Sequence, residues 1–379
     1  MYTIENMRVL MTLSNAFTHD PRVYNEALSL VKNGHQVTIL AWDRDKKNKK
    51  REVIDGINVV RFHNTKFMDI IPYDIFRLHF WWKNGYKLAL KQHEKKNFDV
   101  IHCHDLDTLP IGVKLKKKLG LPLIYDAHEI WGYMVARDIP EWWAKRFLEK
   151  EKSLVKKVDH IITVNEPLKE YFIGITKSPI TLVMNCKPLQ KTEYVPTNNE
   201  YFTILYIGTL NESRFILGLS DAVKGLSDVK CIIGGKGKTE YVDILRDRCS
   251  KISNIKFIGV VPRDDVLTLT KKADLIICMT NPDDKNNSIA LANKQFEAMV
   301  CGKPIISTKG TYPGKFTERE DVGQNAEFDQ QDLRQKIIKL KDNPKLCEKL
   351  GKNALNTAIR EYNWKKQEEK LVSVYEGMH

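Results

Sequence analysis

Short hydrophobic runs alternate with stretches of helical period from one end of the chain to the other. Met7 to Leu13 is a continuous apolar run, as expected of a parallel strand covered on both faces. Asp20 and Pro21 then open a helix whose apolar face is Val23, Ala27, Leu28, Leu30 and Val31, and Gly34 closes it before a strand over 36–42. The alternation continues with strands over 57–62, 99–104, 121–126 and 160–164, and helices over 74–96, 109–119 and 141–157. Such regularity predicts a parallel sheet with helices on both faces. Residues 186–200 have no period and carry two prolines among polar residues, which marks a linker. A second series follows, with strands over 202–207, 229–233, 255–260 and 275–279 and a helix over 215–226. The tail is helical and ends in an amphipathic segment carrying Leu371, Val372, Val374 and Tyr375. At 379 residues the chain exceeds one ordinary core. The expected division is a domain over 1–185, the linker, a second domain over 201–361 and a final helix over 362–379.

Candidate chemistry concentrates in Asn287 to Thr308, NSIALANKQFEAMVCGKPIIST. It reads as a loop, a short helix over 294–300, a glycine stop at Gly302 and a buried strand. A helix start presents free amides and a positive dipole end to an anion, while Glu297, more than a turn in, can accept hydrogen bonds from a diol. An anion beside a diol describes a nucleoside diphosphate. For one glutamate alone, a solvated helix residue is the commoner outcome. Two histidines close strands: His104 ends DVIHCH and His128 ends YDAH, and ligands gather at such strand ends. Strand alternation puts Asp126 on the same side as His128, where it can orient the ring. The first loop has no glycine, so no G-x-G-x-x-G dinucleotide fingerprint is present there, and Gly235-Lys236-Gly237 lacks its third glycine.

Charge narrows the choice of partners only a little. Formal net charge is +13, and residues 1–190 carry 31 Lys/Arg against 22 Asp/Glu, so the first half is the more basic one. Two segments, 80–87 and 141–147, interleave Trp, Tyr and Phe with Lys and Arg. A contact with an anionic membrane surface and an ordinary core face explain them equally well. No nucleic-acid module is present, so nucleic acid is not an expected partner. No signal peptide or spanning segment is read, and the seven cysteines lack a C-x-x-C pair, which points to reduced thiols and a cytoplasmic location.

The string NKQFEAMVCGKPIIST resembles the donor-site signature of family 4 glycosyltransferases, retaining enzymes of the GT-B fold, with two Rossmann-like doubly wound domains facing a cleft. THDPRV and YDAHEIW are similar to further segments of that family. The resemblance implies that Glu297 holds the donor ribose, that Ala290 and Leu291 lie in the donor loop, and that His128 serves the reacting centre. Asp20 and Arg22 become candidates for sugar or phosphate contact, with a helix cap and a surface cation as the alternatives. His104 and Asp126 join them as acceptor or cleft candidates, with His104 the weaker one, behind His128. In the turn Gly208-Thr209-Leu210-Asn211-Glu212-Ser213-Arg214, Arg214 fills one of the two cation places expected for the diphosphate, while Thr209 stands where an arginine is usual. Lys294, at the helix start, is the expected second cation. Ile289 replaces the family's earlier glutamate. No metal and no other cofactor is expected, since Arg214, Lys294 and the helix start answer the phosphate charge. The implied reaction moves a sugar from a nucleoside diphosphate sugar, UDP-sugar first, to a saccharide or lipid-linked saccharide at the inner membrane face. The rivals are a sugar-nucleotide epimerase and a nucleotide-sugar-binding subunit without catalysis.

Overall fold

A computed structural model describes residues 6–18, 20–136 and 138–378. His19 of the THDPRV loop and the first five residues, which entered the reading of the N-terminus, lie outside the described residues. The chain forms two compact units, one of 1–184 with 367–379 and the other of 185–366.

The first unit runs β1 (Arg8–Leu13), α1 (Pro21–Lys32), β2 (Gln36–Asp43), β3 (Arg51–Ile54), β4 (Ile57–His63), α2 (Lys66–Asp69), α3 (Asp74–Lys96), β5 (Val100–His104), α4 (Leu109–Leu119), β6 (Leu123–Ala127), α5 (Trp131–Val135), α6 (Glu141–Val155), β7 (His160–Thr163), α7 (Glu166–Ile173) and β8 (Ile180–Leu182). Its sheet has the order β3-β4-β2-β1-β5-β6-β7-β8. All neighbours are parallel except β3 and β4, which pair as a hairpin. That hairpin was not expected, because Arg51-Glu52-Val53-Ile54 has two charged residues in four and no apolar run. The strands that were expected are buried on both faces, β1 and β5 almost throughout, so their sequences read as continuous apolar runs.

The second unit runs β9 (Phe202–Leu210), α8 (Ile216–Val223), β10 (Val229–Gly237), α9 (Thr239–Ser250), β11 (Ile255–Gly259), α10 (Arg263–Lys272), β12 (Leu275–Cys278), α11 (Asn293–Val300), β13 (Ile305–Thr308), α12 (Tyr312–Arg319), β14 (Gly323–Ala326), α13 (Gln330–Lys341) and α14 (Pro344–Arg360). Its six strands are all parallel in the order β11-β10-β9-β12-β13-β14. The core beneath it gathers Ile204, Tyr206, Leu219, Val229, Ile277 and Ile306. The last helix, α15 (Trp364–Glu376), begins in this unit and belongs to the first from Gln367 onward, where Gln367 Oε1 accepts the Met184 amide at 3.0 Å.

Each sheet reverses direction of growth at one place, between β1 and β5 in the first unit and between β9 and β12 in the second. A crevice opens at the carboxyl ends of strands at such a reversal. The candidate residues fall at these two places.

The segment 80–87 is a core face. Trp81 is fully buried and stacks on Trp42 with ring centroids 5.5 Å apart, and the Trp82 indole donates to the Asp107 carbonyl at 2.8 Å. In 141–147 the Trp142 ring is 58% exposed, so only this second segment keeps an aromatic at the surface beside Lys145. All seven cysteines are free thiols and six are buried.

Candidate functional site

Two groups of side chains stand at the strand-end reversals, one in each unit. In the second unit the site begins with Gly208 near the end of β9 and α11 after β12. The one-turn helix Asn287–Ile289 leads through Ala290, Leu291 and Ala292 into α11, and the Gln295 side chain turns back to accept the Ala292 amide at 3.1 Å. Gly302 stops the helix in a left-handed conformation with φ of 65°, which a side chain would oppose.

Lys294 lies in the first turn of this helix and is buried. Burial takes its ammonium from the ordinary 10.5 down to about 7, with Arg214 adding repulsion and Cys278 and Glu297 working the other way. Its Nζ rests 3.4 Å from the centroid of the Tyr206 ring, and it has no ion pair with a carboxylate among the described residues. Gly208 makes room for it, since a Cβ there would lie 3.2 Å from Lys294 Nζ. A buried cation at a helix start, where the dipole also repels it, is unfavourable unless an anion arrives.

Arg214 ends the one-turn helix Glu212–Arg214 and donates from Nη2 to Asn287 Oδ1 at 2.8 Å. Asn287 is fixed in turn: its Nδ2 donates to Asp284 Oδ2 at 2.7 Å and to Ser213 Oγ at 3.0 Å. Thr209 is exposed and still within β9, so the turn expected from Gly208 begins only after Leu210, and the Thr209 carbonyl accepts the Tyr206 hydroxyl at 2.6 Å. Glu297 is not a solvated helix residue. Its side chain is 15% exposed and lies 3.4 Å from Lys187 Nζ, which also reaches Asn293 Oδ1 at 3.3 Å. Lys187 escaped the sequence reading because it sits in the linker, more than a hundred residues before the helix it touches. The only trace there was a single lysine after Cys186.

In the first unit a charged cluster forms around Asp126 at the end of β6. Arg22 lies on α1, with its Nη2 2.7 Å from Asp126 Oδ1 and 3.0 Å from Glu26 Oε1, and its Nη1 donates to the Val183 carbonyl at 2.7 Å. It is therefore a buried cation and not the surface one considered above. Asp20 serves as the helix cap, accepting the Val23 amide at 3.1 Å, and its other oxygen accepts from Asn15 at 2.9 Å. His104 Nδ1 is 3.2 Å from Asp126 Oδ2, and the His102 ring stacks on His104 at 4.4 Å. Asp126 and His104 are enclosed; Asp126 touches the ring of His128, and His104 touches Asp126.

His128 is the partly open member. Its Nε2 is 3.0 Å from Asp126 Oδ2, and its Nδ1 is 3.2 Å from Asp105 Oδ2. Burial opposes its charge, yet Asp105 and Asp126 outweigh burial and hold its pKa well above the ordinary value. Both ring nitrogens are thus engaged by carboxylates, and a ligand that takes a hydrogen bond from His128 has to displace one of them. Asp126 is held well below the usual carboxylate range against its burial by Arg22 and His128. The neighbouring Glu26 is pushed well above it, chiefly by burial.

Glu26, His102, His104 and Asp126 bring four potential ligand atoms within 4.8 Å of one another. The guanidinium of Arg22 already lies against both carboxylates, so the charge a metal ion would supply there is provided by the chain.

Residues 22–189 match the family described as Glycosyltransferase Family 4, and residues 191–357 match Glycosyl transferases group 1. An uncharacterized glycosyltransferase of Methanocaldococcus jannaschii is 26% identical over 306 residues, covering 74% of this chain and 73% of its own length. The spore coat protein SA of Bacillus subtilis is 23% identical, covering 94% of each. Among solved structures, the sucrose-phosphate synthase of Thermosynechococcus elongatus superposes with a TM-score of 0.80 at 16% identity, over 98% of this chain and 99% of that one. Anabaena HepE in complex with UDP gives 0.72 at 16% identity, over 98% and 100%. These likenesses give the fold as GT-B, and the two matched segments together take in most of the chain: it belongs to the family 4, group 1 glycosyltransferases.

Proposed function

We propose that this transferase takes a sugar from a nucleoside diphosphate sugar, with UDP-sugar as the first choice, and passes it with retention of anomeric configuration to a saccharide or lipid-linked saccharide. The observation that carries the reading is Lys294, a buried ammonium with no carboxylate partner among the described residues, standing at the start of α11 with Glu297 one turn further on. The diphosphate lies against the α11 amides, Lys294 and Arg214, while Glu297 exchanges Lys187 for the two ribose hydroxyls. Two cations and a helix start answer the charge that leaves with the nucleotide, so the reaction runs without a metal ion. The relative whose structure holds UDP supports the choice of base.

In the first unit His128, charged at neutral pH and held between Asp105 and Asp126, sets a fixed positive group at the reacting centre. It is not a base in this state, which suits a mechanism with retention better than direct displacement by an activated hydroxyl. We place the protein at the inner face of the cell membrane, with Trp142 and Lys145 of α6 toward anionic headgroups; among the described residues no helix is long and apolar enough to cross a membrane.

The test is incubation of the purified chain with UDP-glucose, UDP-galactose and UDP-N-acetylglucosamine and a panel of saccharide acceptors, with the product followed by proton NMR. An axial donor giving an axial product supports the reading. Interconversion of the nucleotide sugars without an acceptor overturns it in favour of epimerisation, and binding without turnover overturns it in favour of a carrier subunit.

A further inference from the structure

His102 stands in the middle of β5, between Ile101 and Cys103, and is fully buried. A polar ring in an apolar strand is costly unless its nitrogens are answered. Burial lowers its pKa to about 4, with His104 adding to the effect and Asp126 opposing it, so the ring is neutral at neutral pH. A neutral imidazole has one donor nitrogen and one acceptor. Nε2 lies 3.7 Å from Asp126 Oδ2, an ionised oxygen that can only accept, so Nε2 carries the hydrogen. Nδ1 is then the acceptor, and the hydroxyl of Tyr375 donates to it at 2.6 Å.

Tyr375 comes from the other end of the chain, 273 residues on, in α15. It is fully buried beside Leu371, Val372 and Val374. Packing alone would be met by phenylalanine; the hydroxyl adds a polar atom to a closed core and finds its partner in His102. Burial, with Glu26 and Asp126 nearby, holds the phenol pKa well above its ordinary value, so the group remains a donor. The helix that carries it is fixed on the first unit at further points: Gln367 on the Met184 amide, and Glu368, whose Oε1 accepts from Asn33 Nδ2 at 3.1 Å.

From this pair the contacts lead inward. His102 and His104 are two residues apart on one strand and share a face, and their rings stack at 4.4 Å. Asp126 Oδ2 has His128 Nε2 at 3.0 Å, His104 Nδ1 at 3.2 Å, Arg22 Nε at 3.3 Å and His102 Nε2 at 3.7 Å. At the last distance attraction persists without a full hydrogen bond, and its sign depends on which tautomer faces the oxygen. The opposite tautomer would turn a lone pair on the carboxylate and drive it from its place beside His128.

We propose that Tyr375 is a positioning residue of the reacting centre: its hydroxyl fixes the tautomer and rotation of His102, which holds the Asp126 carboxylate in place against His128. The inference rests on the role proposed for His128 and adds the last helix to the parts that shape it.

The experiment compares the full-length protein with Tyr375→Phe and His102→Asn, all labelled with nitrogen-15 histidine, by NMR at pH 7. Tyr375→Phe removes the donor and keeps the ring. His102→Asn keeps an acceptor near the place of Nδ1 and takes Nε2 away from Asp126. The parent should show His102 neutral and protonated at Nε2, and both variants should move the ring nitrogen signals of His128. With UDP-glucose as donor, both should lower kcat about tenfold or more and leave KM for the donor unchanged, as misplacing a group at the reacting centre does. A core pair without influence on the site would lower the melting temperature and leave the His128 signals and kcat as they are. That result, or a parent His102 protonated at Nδ1, overturns the proposal. Should Tyr375→Phe fail to fold, the parent tautomer and His102→Asn decide. Should the parent not turn over UDP-glucose, that counts against the donor reading, and the His128 signals still decide this one.

Discussion

Lys294 shows how a side chain can be unfavourable for the fold and useful to the site. Its folded pKa of about 7 lies below the ordinary 10.5, so between these values the unfolded chain binds a proton that the folded chain does not. Stability therefore rises with pH across that window, and the destabilisation is fully present below about 7. Lys294→Met should remove it: the variant should melt higher than the parent at pH 6.5, and the difference should shrink by pH 9. A diphosphate restores the charge, so above pH 7 UDP binding should take up a proton and weaken as pH rises, which calorimetry in buffers of different ionisation enthalpy measures. His128 has the opposite sign. Its raised pKa gives stability that is present below its ordinary value of 6.5 and lost as pH rises through the folded value, so its ring carbon shift in NMR should still report imidazolium at pH 7.5. A neutral ring at that pH would contradict the role given to it. Of these residues Glu297, Lys294 and His128 were legible, because each sits in a local pattern of helix start or strand end. Lys187 and Asp105 were not, since their contacts depend on pairings across the fold that no local spacing signals.

At the scale of elements, α1 is tied to β6 by charge. Arg22 lies against both Asp126 and Glu26, so Arg22→Met should take the guanidinium from the buried Asp126, leaving it His128 as its cation, and cost about 3–5 kcal/mol. Urea unfolding followed by circular dichroism checks this, and a loss under 1 kcal/mol would show that the cluster relaxes without its cation. The sequence marked α1 by its cap, its proline and its glycine stop, but a guanidinium's burial depended on an aspartate 104 residues away. Helices α3 and α4 were read with the boundaries they have, since long apolar periods and end signals coincide there. The β3–β4 hairpin was missed because β3 is short, charged and at a sheet edge.

For the whole molecule, the two units divide the chemistry, and a ligand of one stabilises that one. UDP at about a hundred times its dissociation constant should add about 2.7 kcal/mol to the unfolding of the second unit. Pulse proteolysis should show protection of peptides from 185–366 and none from 1–184. Two doubly wound units were visible in the order of apolar runs, because a parallel sheet buries both faces of its strands. The central claim is that α11 binds a nucleoside diphosphate through Lys294 and Glu297. Titration calorimetry of UDP against the parent and Glu297→Ala at pH 7 tests it most directly: the account predicts binding by the parent and a loss of about tenfold or more in the variant. Equal affinity in the two proteins, or no binding by the parent, would contradict it.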